Sequence, residues 1–171
     1  MTVSVGFRQA VYAPETGRFP IALITIDHDD LTTPIRISTD PTQRLTGEGY
    51  TTDTEVVYGT VSRGETFVFF PVRLKLPDDT DEGPGEMQIE IDNVHQQYTD
   101  TIREIQSPAT FNVELVLDNT PDTVEAQWPE FELRHVQYNE STITGTLKME
   151  TFEKEPYPSG SFTPAQFPGL F

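Results

Sequence analysis

The run Asp27-His28-Asp29-Asp30 sets an imidazole among three carboxylates, all competent ligands for a divalent metal. Adjacent residues on a strand alternate faces, so the four cannot converge on one ion, and His95 and His135 are distant in sequence. A polar turn leaving a strand accounts for the same run. Asp78-Asp79-Thr80-Asp81-Glu82-Gly83-Pro84-Gly85-Glu86 is rich in oxygen ligands suited to calcium. It departs from the regular calcium-loop spacing and places no closing bidentate Glu, which favours a solvated acidic loop. Two close carboxylates can also hydrolyse a glycoside, but among 28 Asp and Glu such pairs arise by chance. There is no Gly-x-Ser-x-Gly elbow and no Ser-x-x-Lys, and Gly47-Glu48-Gly49 lacks the further glycine of a phosphate loop. The chain has no cysteine, which removes disulfides, thiol catalysis and cysteine-ligated zinc or iron–sulfur clusters together. The expectation is a protein without catalysis, cofactor or metal.

The elements that would position any site are strands. Val, Ile and Thr number 47 against 16 Ala and Leu, and branched side chains suit a pleated sheet better than a helix. Fourteen prolines and 11 glycines are spread along the chain, as many short strands require. Alternation marks Met87–Ile91, Phe111–Leu117 and Ser141–Thr151, the last with Gly145 at an inward position where a neighbour approaches or a bulge forms. Phe19–Asp27 and Pro34–Ser38 read as two further strands. Thr54–Ser62 and Thr66–Leu76 read as a hairpin closed around Arg63-Gly64, with the first half of Thr66–Leu76 buried on both sides. Val124–Tyr138 changes phase at Pro129, which predicts a bend or bulge. Val94, Tyr98, Ile102 and Ile105 form a helical stripe behind the N-cap candidate Asn93 and ahead of Pro108. A second, shorter helix is predicted over Ser4–Tyr12.

A net charge of −17 gives the chain little means of neutralising phosphates, which argues against a nucleic-acid reader. No run approaches the ~18 apolar residues of a membrane span, and the first residues have no secretory pattern. Synthesis in the cytoplasm and no membrane partner are expected. The length of 171 residues suits one domain, taken as residues 1–154, followed by an extended arm over 155–171. That arm holds four prolines and the aromatics Tyr157, Phe162, Phe167 and Phe171. Its end, Phe167-Pro168-Gly169-Leu170-Phe171, wastes apolar surface unless it is covered, within the chain or by another protein. Phe162, Phe167, Pro168, Leu170 and Phe171 are therefore the candidate assembly residues.

Phe7-Arg8-Gln9-Ala10-Val11-Tyr12-Ala13-Pro14, Pro20–His28, Pro34-Ile35-Arg36-Ile37, Ile91-Asp92-Asn93-Val94 and the terminal Phe-Pro-Gly-Leu-Phe together span nearly the whole chain. With these landmarks the sequence resembles a phage tail protein family of formerly unknown function, similar to distal tail proteins and the lambda minor tail protein M. The resemblance implies a tail-tube-like β-sandwich or barrel with one flanking α-helix, assembled as a homohexameric ring in the tail tip of the virion. It implies tail tube, hub and tape-measure proteins as partners, with DNA only passing through the lumen. The alternative is a carbohydrate- or receptor-binding β-sandwich of a phage tail tip, with Trp128, Tyr50 and Tyr58 as sugar platforms.

Overall fold

The structure, a computed structural model, describes residues 3–46, 56–77, 85–92, 108–138 and 142–149. The stripe over 93–105, the acidic residues 78–84 and the arm over 155–171 lie outside them. The fold is mostly β. Among the described residues one helix, α1 (Val5–Tyr12), precedes nine strands: β1 (Pro20–Asp27), β2 (Ile35–Ser38), β3 (Gly59–Ser62), β4 (Glu65–Phe69), β5 (Val72–Lys75), β6 (Met87–Asp92), β7 (Thr110–Leu117), β8 (Ala126–Tyr138) and β9 (Thr142–Met149). They form one mixed sheet in the order β3-β4-β2-β1-β7-β8-β9-β6-β5. Every neighbouring pair is antiparallel except β2 with β4.

The sheet is unclosed but cannot be flat. β4 and β5 stand second and ninth in the order, which in a flat sheet would put them ~34 Å apart at ~4.8 Å per strand. Only Phe70 and Pro71 separate them in the chain, and three peptide steps span at most ~11 Å. The sheet must therefore curl until its last strand, β5, reaches its second, β4, at this corner. The stretch predicted as one strand over Thr66–Leu76 is extended throughout, yet it changes partner midway. The Phe70 amide donates to the Ser38 carbonyl beside β2 (2.9 Å), and the Pro71 carbonyl accepts from Asp92 of β6 (3.0 Å). Proline has no N–H to offer a ladder, so it suits a point where one pairing stops and another begins.

Curling creates a core on each face of the sheet's middle. On β1, Ile24 and Ile26 join Ile37, Ile89, Phe111 and Phe131 in the larger core. Ile21 and Leu23, in the opposite phase, meet Phe67 and Val116 in a smaller one. β1 is thus buried on both faces, which explains its uninterrupted apolar reading Ile21–Ile24. β7 shows the same division. Phe111 and Val113 face the larger core as their alternation predicts, but Val116, on the face expected to be wet, is fully buried in the smaller one.

α1 is the short helix predicted over Ser4–Tyr12. The Ser4 hydroxyl accepts from the Phe7 amide (3.1 Å) as N-cap, and also donates to the Glu125 carboxylate (2.7 Å). The Ser4 amide donates to the same carboxylate (2.9 Å). A nearly buried anion at the helix N-terminus complements the helix dipole and pins the helix to the β7–β8 connection. Ala10 is the only buried residue of α1; Val5, Val11 and Tyr12 are exposed.

Candidate functional site

Three non-glycine residues among those described adopt the left-handed region: Arg63 (φ 51°), Glu130 (φ 57°) and His135 (φ 54°). Such conformations cost on the order of 1–3 kcal/mol and collect where a fold fixes a functional surface. Arg63 and His135 each line a concavity, and Glu130 follows Pro129, which lines the first of them.

Arg63 and Gly64 (φ 81°) form the two-residue turn between β3 and β4. Positive φ at both positions suits the twist of a hairpin, but Asn or Asp is the cheaper first residue. An arginine there has a visible use. Its guanidinium makes a two-pronged ion pair with Glu114 of β7, Nη1 lying 3.1 Å from Oε1 and Nη2 closing on Oε2. The hydrogen bond to Glu114 raises the Arg63 pKa above its ordinary value; partial desolvation opposes this. The Arg63 amide donates to Asp122, and the Ser62 hydroxyl to the Pro121 carbonyl (2.7 Å). The hairpin tip is thereby tied across the smaller core to β7 and its outgoing loop.

Opposite the tip, β8 bulges. Val113 faces Trp128 and Phe111 faces Phe131, so Pro129 and Glu130 stand against Asn112 alone. The Asn112 Oδ1 accepts from the Glu130 amide (3.0 Å), holding the strained residue in place. This is the irregularity predicted at Pro129. Between tip and bulge lies a groove of about 310 Å³ lined by Thr25, Asn112, Gln127, Trp128, Pro129 and Phe67, with Arg63, Glu65 and Glu114 also on its wall.

A second bulge, one of the two outcomes the sequence offers at Gly145, lies where β8 meets β9. Arg134 faces Thr146 and Gln137 faces Thr144, so His135 and Val136 oppose Gly145. A Cβ on Gly145 would sit 2.5 Å from Leu133 Cδ1, so glycine here is both the close approach and the bulge partner expected of it. His135, Gln137, Thr144, Thr146, Gln88 and Lys75 line a shallower trough of about 390 Å³ on the outer face.

The other sequence candidates are dispersed. His28 belongs to a turn: its Nδ1 accepts from the Asp30 amide (3.0 Å) and its carbonyl from the Leu31 amide (2.9 Å). Among the described residues, no three His, Cys, Asp or Glu stand together as metal ligands. Of the acidic loop, Glu86 is described and pairs with Lys148. Trp128 is half-buried and packs against the larger core, paired across the strands with Val113, and Tyr58 is exposed near the β3 end. Tyr50, Phe162, Phe167, Pro168, Leu170 and Phe171 lie outside the described residues. Arg63, Asn112 and Gln127 were missed by sequence reading. The one available signal was an arginine where a tight turn prefers Asn or Gly.

These features define a class: a mostly β domain built on one curled, unclosed mixed sheet, with a polar groove pinned at both walls by strained residues. Within that class the chain belongs to the family described as Domain of unknown function (DUF1833), whose model matches residues 6–162. A search of curated proteins returned no match.

Proposed function

We propose that this chain is a structural component of a phage tail tip, a distal tail-type protein that forms a ring between tail tube and hub around the DNA channel. The observation that carries this reading is the open sheet. Pro71 accepts from Asp92, so by antiparallel alternation Arg73 and Lys75 turn their backbone groups toward β6, and Val72 and Leu74 turn theirs outward. Among the described residues no strand covers that outer edge. An uncovered edge recruits another strand, and head-to-tail contacts repeated around an axis close into a ring when the rotation fits. The tail-tube-like sandwich, in this reading, is completed between copies. The charge balance is compatible with a DNA conduit: among the nine described Lys and Arg residues five side chains are tied to carboxylates, and the acidic surplus of the chain keeps a polyanion from adhering.

Sedimentation of the purified full-length chain, alone and mixed with tube and hub proteins of the same tail, tests the proposal. A hexameric ring, free or on a partner, is the expected result. A monomer that associates with neither partner would overturn it.

A further inference from the structure

We propose that the outer edge of β5 receives residues 152–155 of a second copy as an added antiparallel strand. This names the strand that the ring reading requires and rests on that reading. β5 is the border left to fill. At the opposite border the Leu45 amide donates to the Val57 carbonyl and the Gly59 amide to the Gln43 carbonyl, both at 2.9 Å, so residues 43–45 already lie along β3 and its approach. Two β5 edges cannot serve each other. Arg73 and Lys75 project from one face, and antiparallel pairing with a second β5 would set these cations against their own kind.

The edge defines its occupant. One face shows Arg73 and Lys75; Arg73 reaches Glu90, but Lys75 has no carboxylate at ion-pair distance among the described residues. The other face shows Val72, Leu74 and Leu76, the last 37% exposed. Backbone groups turn outward at these same three residues. The sequence Phe152-Glu153-Lys154-Glu155-Pro156, outside the described residues, has carboxylates at the spacing of Lys75 and Arg73. Laid antiparallel with Glu153 opposite Lys75, it sets Glu155 opposite Arg73, Phe152 opposite Leu76 and the Lys154 stem opposite Leu74. Phe152 and Lys154 then supply amides to the edge. Pro156, which has none, falls opposite Val72 and ends the pairing.

Reach decides whose segment it is. A strand beside β5 stands three spacings from β9, ~14 Å at ~4.8 Å each. Met87 faces Leu147, so Met149 also lies two residues past the level of Leu76, which lengthens the path. Phe152 is three peptide steps beyond Met149, at most ~11 Å. The chain therefore cannot lay residues 152–155 on its own edge, and a neighbour's must fill it. A segment given by each copy to the next is a head-to-tail contact, the kind that closes rings.

The chain has no cysteine, so one disulfide can be placed at a chosen pair. Lys75→Cys/Glu153→Cys, oxidised alone and with the tube and hub proteins, should give a ladder of covalent oligomers. Lys75→Cys mixed with Glu153→Cys should give covalent dimers that neither variant gives by itself. Glu153→Arg/Glu155→Arg should weaken assembly about tenfold in the centrifuge, and adding Arg73→Glu/Lys75→Glu should restore it. Rings that form without the disulfide, or that ignore the charge reversal, would overturn this pairing and leave the ring reading standing. A disulfide closed within one chain would overturn it too. A chain that stays monomeric with and without its partners would overturn both.

Discussion

Two glycines separate a fatal close approach from a tolerable one. A Cβ on Gly59 would lie 2.0 Å from the Phe67 carbonyl oxygen, a backbone atom of the paired strand. Gly59→Ala must therefore push β3 off β4, and we expect it to cost at least ~3 kcal/mol, above the usual range for overpacking. At Gly145 the obstacle is the tip of Leu133, which can rotate, so Gly145→Ala should cost only ~1–2 kcal/mol. Urea melts of the two variants check the ranking; equal losses would contradict it. Arg63→Gly trades opposing terms. It relieves a left-handed side chain worth ~1–2 kcal/mol, but loses a half-exposed ion pair worth up to ~1 kcal/mol and adds glycine's chain entropy. Stability should stay within ~1 kcal/mol of wild type while the tie across the groove is lost. Because the folded Arg63 pKa is raised, its contribution is present below its unfolded value and fades only as pH rises through the folded one. The melting difference between wild type and Arg63→Gly should thus be constant from about pH 7 to pH 10.

Elements repeat this dependence on a few contacts. α1 has eight residues and one buried side chain, too little to persist on propensity alone. Its anchorage is the pair of bonds from Ser4 to Glu125. Glu125→Ala should fray residues 5–12 at a cost of ~0.5–2 kcal/mol, seen as faster amide exchange there with the sheet still protected. Most strands were legible in the sequence because alternation reports a half-buried face directly: β6, β7 and β9 fall where Met87, Phe111 and Ile143 begin their patterns. The break at Pro129 was legible for a different reason, since proline and a phase change coincide. The corner at Phe70–Pro71 was not, because an extended chain that changes partner keeps the same alternation across the switch. The groove was equally hidden. Its walls come from residues 50 or more apart, Arg63 and Glu114, and neighbours of that kind are set by topology. Val116 shows the limit from the other side: its wet-face phase on β7 gave no warning of a second core.

For the whole molecule, the ring reading makes the outer edge of β5 its most consequential surface. Leu74→Pro removes an outward N–H without touching the ladder to β6. Its lost packing should lower stability by ~1–3 kcal/mol, leaving a folded monomer by circular dichroism that no longer assembles in the centrifuge. A variant that still forms rings would show that β5 is not the joining edge. Deletion of residues 162–171, which removes the terminal Phe-Pro-Gly-Leu-Phe, should likewise spare the sheet and impair attachment to the hub; a chain unable to fold would make that segment an internal clasp.

Where the chain turns at Phe70 and Pro71, the second and last strands of the sheet belong to one uninterrupted length of backbone. A load applied at either of these strands is carried to the other through covalent bonds, without crossing the seven intervening ladders. In a closed circle of such subunits, each junction would feel tension at the next almost without slack, and the circle would resist stretching as a hoop does.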